Sequence, residues 1–225
     1  MSDISWFKFE NKDLDFPFYN KNPYISKRGW LVLFISILIA YCFIAIDILI
    51  LDILSVFVPL IALLYFLHWD YHPIFQKPKA KDIALAIGLF IGYMIYASIM
   101  SNILGLFGLT GAMSPDVAPL ISILSLIFSV MTEEFIKLIP FLFLLTVFFK
   151  YSNNRKLSAI GSMLVVMIIF AALHSDDFIT LIFAIFVQGF GSIFEFIGYF
   201  KTKNVFIPYL AHIITDVFIT LLALL

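Results

Sequence analysis

The segment APLISILSLIFSVMTEEFIKLIPFLFLLTVFF, residues 118–149, is apolar over nearly its whole length but carries Glu133, Glu134 and Lys137 near its middle. A helix of 32 residues rises about 48 Å, whereas the hydrocarbon core of a bilayer is about 30 Å thick. The segment therefore predicts a transmembrane helix that is longer than one crossing needs. We expect its start, near residues 122–125, to form a separate or tilted piece.

Six further apolar runs accompany this segment. Hydrophobic residues make up 63% of the 225 and charged residues only 13%, against about 45–50% and 25% in soluble domains. A soluble core cannot hide so much apolar surface, so the surroundings must be lipid. The other predicted spans are 30–46, 51–69, 83–106, 157–174, 178–200 and 205–225. The chain is therefore predicted to be an all-α polytopic transmembrane bundle of about seven spans. Residues 1–29 would form a cytoplasmic or interfacial tail, and residues 30–225 one membrane domain.

Basic residues outside the spans occupy alternate connections. They precede the first span and follow the second, fourth and sixth. They are Lys8, Lys12, Lys21, Lys27, Arg28, Lys77, Lys79, Lys81, Lys150, Arg155, Lys156, Lys201 and Lys203. By the positive-inside rule the N-terminus is cytoplasmic and the C-terminus external. We expect a multi-pass protein of a cell membrane, in particular a prokaryotic inner or plasma membrane. The sequence contains no basic patch, so no nucleic-acid partner is predicted. Cys42 is the single cysteine in the sequence, so no disulfide framework is predicted either.

Charged side chains at membrane depth are the first functional signal. On insertion scales, the placement of each ionisable group at the centre of a membrane helix is unfavourable by about 2.5–3.5 kcal/mol. Glu133 and Glu134 lie four and three residues before Lys137, so one helical face carries all three. A buried ion pair explains one glutamate. The second is poorly explained by structure alone, because adjacent like charges disfavour each other's ionisation. The pattern therefore favours a functional site.

Polar residues on the later spans add to this signal. His174 lies near the outer end of the fifth span, as a site residue or an interfacial histidine. His212 and Asp216 share a face of the seventh span at i, i+4 spacing. They form either a self-contained hydrogen bond or a functional pair, and the cost of placing both in lipid favours function. Gln188 and Glu195 share a face of the sixth span. Because Glu195 is near the cytoplasmic end, we favour snorkelling or a bond to a neighbouring helix over a role in the site.

The common hydrolase motifs are absent. The chain contains no HExxH zinc motif and no GxSxG nucleophile motif. Carboxylate and imidazole groups remain, and these are suited to the activation of water.

Three motifs together resemble the CPBP family (CAAX protease and bacteriocin-processing, or Abi) of intramembrane endopeptidases. The family pattern is EExxxR, then FxxxH, then HxxxN or HxxxD on a late span. This chain has EEFIKL, FAALH and HIITD, which contain Glu133, Glu134, Phe170, His174, His212 and Asp216. Their order, and their placement on spans four, five and seven, are similar to the family over residues 118–217.

The resemblance implies a role for the first two motifs. Glu133 would be the general base on a water that His174 helps to hold. Leu138 stands at the position of the family's arginine, and Lys137 is similar to the last residue of the EExxK motif in a PrsW-like branch. Glu134, paired with Lys137, would then tune the pKa of its neighbour through charge balance.

The last motif would stabilise the tetrahedral intermediate. The resemblance implies that His212 stabilises the oxyanion and that Asp216 orients and charges His212. An alternative is Zn²⁺ held by His174, His212 and a carboxylate, Glu134 or Asp216, with an open position for water. We favour a mechanism without a cofactor, since two adjacent glutamates are unusual zinc ligands.

The expected partners are membrane lipid and a hydrophobic, membrane-associated or lipidated peptide substrate; no oligomeric state is predicted. One alternative function is that of a catalytically inactive membrane scaffold or bacteriocin-immunity protein. A less favoured one is a proton-coupled transporter that uses the same buried acids. Transport would be favoured by inverted repeats or broken helices, and the sequence indicates neither.

Overall fold

The computed structural model describes residues 24–46, 48–109 and 120–223. Within these ranges the chain forms helices and no strand. The helices are α1 (Lys27–Ile44), α2 (Leu49–Phe66), α3 (Ala80–Gly105), α4 (Leu120–Ser152), α5 (Arg155–Ala172), α6 (Phe178–Ala184), α7 (Ile193–Thr202) and α8 (Phe206–Ala223). A π-helical turn, Ile185–Gly189, lies between α6 and α7, so that Phe178–Thr202 is one long apolar segment.

Six segments of the described chain are long and apolar enough to cross a membrane. They are α1 to α5 and the joined α6–α7 segment; α8 is also apolar, over Phe206–Leu222. The predicted all-α polytopic bundle is therefore confirmed. Residues 1–23 of the predicted tail, residues 118–119 of the fourth predicted span and residues 224–225 of the last one lie outside the described residues.

The α4 helix is continuous over 33 residues, so the separate piece predicted near residues 122–125 is wrong. The Ser125 hydroxyl donates a hydrogen bond to the buried Asp52 carboxylate of α2. The hydroxyls of Thr132 and Ser55 lie 2.6 Å apart, again between α4 and α2. Because these polar groups find partners on α2, they do not interrupt the helix. A helix of this length must tilt or project beyond the bilayer core.

The same helix occupies the centre of the bundle. It contacts α1, α2, α5 and α8, whereas α3 packs at the periphery against α7 and α8. Its fully buried side chains include Phe135, Ile139, Phe141, Leu142 and Leu145. Since lipid tails are as apolar as leucine, close packing stabilises such a core more than transfer from water does. Glu134 and Lys137 of α4 are consequently buried within this core.

Glycines on the joined α6–α7 segment bring helices into close approach. A Cβ atom on Gly189 would lie 2.8 Å from the carbonyl oxygen of Met167 on α5. One on Gly191 would lie 2.5 Å from the ring of Tyr93 on α3. Small residues at helix interfaces commonly serve this purpose in membranes.

Two lysine-containing connections meet at one end of the bundle. The Asn204 side-chain amide donates to the Gln76 carbonyl oxygen over 2.8 Å, and the Val205 N–H donates to the Ile74 carbonyl oxygen over 2.9 Å. These bonds join the α2–α3 connection to the α7–α8 connection. The predicted orientation places both connections on the cytoplasmic side, and their contact at one end of the bundle agrees with it.

We expect the two ends of α5 to be labelled from opposite faces of the membrane. In a Cys42→Ser background, Asp176→Cys should react with a membrane-impermeant maleimide added to intact cells. Lys156→Cys should react only after the cells are permeabilised. Both positions are exposed, so a difference in labelling reports sidedness and not burial. The reverse pattern, or labelling of both cysteines in intact cells, would contradict the predicted orientation.

Candidate functional site

Seven ionisable side chains from four parts of the chain converge in the bundle, with His174 at the exposed edge of the group. Three come from α4, one follows the end of α5, one comes from α7 and two come from α8. They are Glu133, Glu134, Lys137, His174, Glu195, His212 and Asp216. The structure thus brings together every ionisable residue that the sequence predicted for the site, and adds Glu195.

An ion cluster of Glu134, Lys137 and Glu195 forms the inner part of this site. The Lys137 Nζ atom lies 2.6 Å from Glu134 Oε1 and donates a hydrogen bond to Glu195 Oε2 on α7. The Lys137 and Glu134 side chains are only 3% and 4% exposed. Their charges are therefore compensated within the cluster and not by solvent. Removal of one member would leave a buried charge without compensation.

The His212 ring connects the ion cluster to the more open part of the site. Its Nδ1 atom lies 2.8 Å from Glu134 Oε1. Because an ionised carboxylate only accepts hydrogen bonds, Nδ1 carries a proton and donates it. The Lys137 ammonium lies 3.4 Å from the same nitrogen. Since a protonated Nδ1 has no free lone pair, it does not accept a hydrogen bond from Lys137. On the opposite edge of the ring, Nε2 lies 3.6 Å from Asp216 Oδ2 and 3.8 Å from Glu133 Oε2.

Glu133 faces away from the ion cluster and toward two imidazole rings. Consecutive residues on an α-helix point about 100° apart, which separates Glu133 from Glu134. Its Oε2 atom lies 3.9 Å from His174 Nε2 and 3.8 Å from His212 Nε2. These separations are too long for direct hydrogen bonds but fit one bridging water. The Glu133 side chain is 20% exposed.

His174 is held in a defined orientation by its own helix. Its Nδ1 atom lies 2.9 Å from the Phe170 carbonyl oxygen. A carbonyl oxygen only accepts, so Nδ1 donates this hydrogen bond, and Nε2 on the other edge of the ring is directed toward Glu133. The Phe170 ring lies 4.5 Å from the His174 ring, and its centroid is 4.6 Å from Lys137 Nζ. Phe170 therefore packs against both parts of the site, as expected of a supporting residue.

Two cavities reach the Glu133 carboxylate. The first, here called the α8 cavity, has a volume of about 300 Å³ and lies between α3, the α6–α7 segment and α8, with Asp216 in its wall. The second, the α1 cavity, has a volume of about 260 Å³ and lies between α1, α4 and α5, beside Tyr41. Glu133, Phe170 and His174 line both cavities. These three side chains thus form the partition between them.

The residue that fixes the His212 ring differs from the one that the sequence indicated. The resemblance implied that Asp216 orients His212, but the short hydrogen bond of His212 Nδ1 is to Glu134 on α4. Asp216 lies at the opposite nitrogen, at 3.6 Å. The predicted positioning role therefore belongs to Glu134, and Asp216 lines the α8 cavity beside Nε2.

Glu195 is the site residue that sequence reasoning did not identify. Of the two outcomes expected for it, a bond to a neighbouring helix is confirmed by its contact with Lys137. Snorkelling to the membrane surface is wrong, since its side chain is 12% exposed. The signal that would have identified it is the general rule that an ionisable residue inside a span marks a functional site.

One group of potential metal ligands is present among the described residues. Ligand atoms of Glu134, Glu195 and His212 lie within 4.8 Å of one another. The Lys137 ammonium bonds both carboxylates of this group, so it already supplies the positive charge that a cation would bring. Of the carboxylates in the predicted zinc set, Glu134 lies at Nδ1 of His212 and Asp216 at Nε2. An ion on one ring nitrogen would therefore be near only one of them.

Comparison with known proteins gives no match to a protein-family model, a curated protein or a solved structure.

Proposed function

We propose that this protein is an intramembrane endopeptidase that hydrolyses a peptide bond with a water activated by glutamate and histidine. The position of Glu133 is the main support. Its carboxylate lies in the partition between two cavities and within one bridging water of Nε2 of both His174 and His212. The EEFIKL, FAALH and HIITD motifs, which resemble those of the CPBP family, support the same activity.

Glu133 is the general base in the proposed reaction. It accepts one proton from a water molecule, and the second O–H group of this water donates a hydrogen bond to His174 Nε2. The water oxygen attacks the scissile carbonyl carbon. When the C–N bond breaks, the proton on Glu133 passes to the leaving amine. Glu133 is thereby returned to its ionised form without a covalent acyl-enzyme.

His212 is the oxyanion donor in this proposal. With Nδ1–H bonded to Glu134, a doubly protonated ring presents Nε2–H to the α8 cavity. Glu134 and Glu195 carry two negative charges against the single positive charge of Lys137, and a protonated His212 balances them. A fixed donor of this kind stabilises the charge that develops on the carbonyl oxygen.

The proposed substrate is a hydrophobic, membrane-associated or lipidated peptide. The α8 cavity is lined by apolar side chains such as Met94, Val187 and Ile219. It also includes Ser98, which is exposed at the surface of α3, so a substrate has a lateral route to the site. We place the protein in a prokaryotic inner or plasma membrane with a cytoplasmic N-terminus.

An assay that needs no known substrate tests this function. Membranes from cells that express the wild-type chain, and from cells that do not, are incubated in H₂¹⁸O, and peptide termini are sequenced by mass spectrometry. We expect new N-termini only with the wild-type chain, and one ¹⁸O atom in each matching new C-terminal carboxylate. Identical sets of termini at verified expression would contradict the proposal.

The role of Asp216 separates the metal-free mechanism from a zinc mechanism. We expect Asp216→Asn to lower cleavage by less than about tenfold, and chelators to have little effect, because Glu134 still orients His212. A zinc ligand at this position predicts a larger loss, with strong inhibition by chelators. The matched control is Asp177→Asn, which changes an exposed carboxylate that caps α6 and leaves a residue that also caps well.

A further inference from the structure

The π-helical turn Ile185–Gly189 lies beside the candidate site. Such turns are rare and occur frequently at functional sites. The Tyr96 hydroxyl of α3 donates to the Phe186 carbonyl oxygen over 2.5 Å. On the other side, Gly189 packs against α5 so closely that a Cβ atom would lie 2.8 Å from the Met167 carbonyl oxygen. Contacts with two neighbouring helices therefore fix this turn.

Gln188 is the polar side chain that the turn contributes to the α8 cavity. It lines this cavity together with Glu133, His212 and Asp216. Its Oε1 atom is buried and has no hydrogen-bond partner within the described parts of the chain. A buried amide oxygen without a partner is unfavourable in an apolar interior. A hydrogen-bond donor on a ligand in the α8 cavity would satisfy it.

A peptide cleaved in the α8 cavity would have main-chain amide groups without hydrogen-bond partners. A helical segment pairs its own main-chain amides, but attack on a carbonyl requires that the segment be unwound there. Inside a membrane the freed N–H and C=O groups find no water in lipid. A carboxamide offers one acceptor oxygen and one donor nitrogen, the same functions as a main-chain amide.

We infer that Gln188 binds the main chain of an unwound substrate segment next to the scissile bond, with Oε1 accepting from a substrate N–H. This inference rests on the proposed endopeptidase function. Glu133 and His212 act on the scissile carbonyl, while Gln188 holds a neighbouring peptide group in register. The substrate class that follows is a membrane peptide that unwinds readily, with helix-breaking glycine or proline near the cleaved bond.

The test uses full-length protein in detergent and a synthetic peptide copied from the most abundant segment cleaved in the membrane assay. In a series of analogues, one main-chain N–H outside the scissile bond is replaced by an ester oxygen. We expect wild-type protein to cleave one of these esters about tenfold more slowly, in kcat/KM, than the amide peptide. Gln188→Met should cleave the amide peptide about tenfold more slowly and show no further loss on that ester.

Two further variants support the interpretation. Gln188→Leu removes the amide with a different shape and should give the same result if Gln188→Met folds poorly. Ser101→Ala changes another polar residue of the α8 cavity and should keep the wild-type difference between ester and amide. Without peptide, both Gln188 variants should unfold at the same or a higher temperature than wild type, because they remove an unpaired buried oxygen.

The outcomes distinguish this inference from the proposed function. Equal ester sensitivity in wild type and both Gln188 variants would overturn the inference and leave the endopeptidase proposal intact. Lower unfolding temperatures without peptide would assign Gln188 to helix packing and also overturn it. Absence of cleavage by the wild-type protein would overturn the endopeptidase proposal, and the inference with it.

Discussion

Replacement of Glu133 by glutamine is expected to lower peptide cleavage by a factor of about 10² or more, with little change in stability. Glutamine keeps the volume of the side chain and still bonds a bridging water, but its amide does not accept a proton from that water. Glu133 is partly exposed and lies outside the Glu134–Lys137–Glu195 cluster. Loss of its charge therefore leaves the cluster balanced. Initial rates on a peptide cleaved in the membrane assay, at matched protein concentration, measure the effect.

Two other variants serve as references for this prediction. Ser129→Ala changes a residue of the α1 cavity on the same helix as Glu133 and should leave the rate within about twofold of wild type. Glu134→Gln should lower both rate and stability, because it disturbs the bonds to Lys137 and His212. Undiminished cellular function in both glutamine variants would contradict the mechanism. It would favour a catalytically inactive scaffold or a bacteriocin-immunity protein.

Replacement of Lys137 by methionine is expected to reduce the free energy of unfolding by about 3–5 kcal/mol. Methionine fills much of the same volume but removes the only ammonium among Glu134, Glu195 and His212. Two carboxylates would then face each other in a region from which water is excluded. Denaturant or thermal unfolding of the purified protein in detergent measures the loss.

A compensating variant shows whether charge or packing causes this loss. Adding Glu134→Gln and Glu195→Gln to Lys137→Met removes the excess negative charge and should restore most of the stability. Lys150→Met, at the exposed end of α4, is the matched control, and its effect should be within about 0.5 kcal/mol. A loss in Lys137→Met no larger than in Lys150→Met would contradict a structural role for the ion cluster.

The helices were predictable because the length of each apolar run indicates whether it can cross a bilayer. Apolar runs of about twenty residues need a bilayer, and each predicted run is helical within the described residues, although a π-helical turn interrupts the run 178–200. The continuity of α4 was not predictable from length alone. It depends on contacts such as that between Ser125 and Asp52, which join residues far apart in the sequence.

The composition of the site was predictable, but the orientation of its side chains was not. Intramembrane charge and motif order indicated Glu133, Glu134 and His174. Spacing within α8 suggested Asp216 as the partner of His212, because a sequence reveals neighbours on one helix and not those on another. The Glu134 bond to His212 requires that α4 and α8 pack together. For the same reason, the sequence did not reveal the contact of Glu195 with Lys137 on another helix.

The partition formed by Glu133, Phe170 and His174 has a consequence for the order of events. An intramembrane hydrolase must bring an apolar substrate and a water molecule to the same carboxylate. A substrate that fills a single cavity would displace that water. Here a peptide seated in the α8 cavity leaves the α1 cavity on the far side of Glu133 in place. If the protein is the proposed endopeptidase, that second cavity would supply water to Glu133 while the peptide occupies the first. Hydrolysis and product release then need not alternate with refilling from bulk solvent.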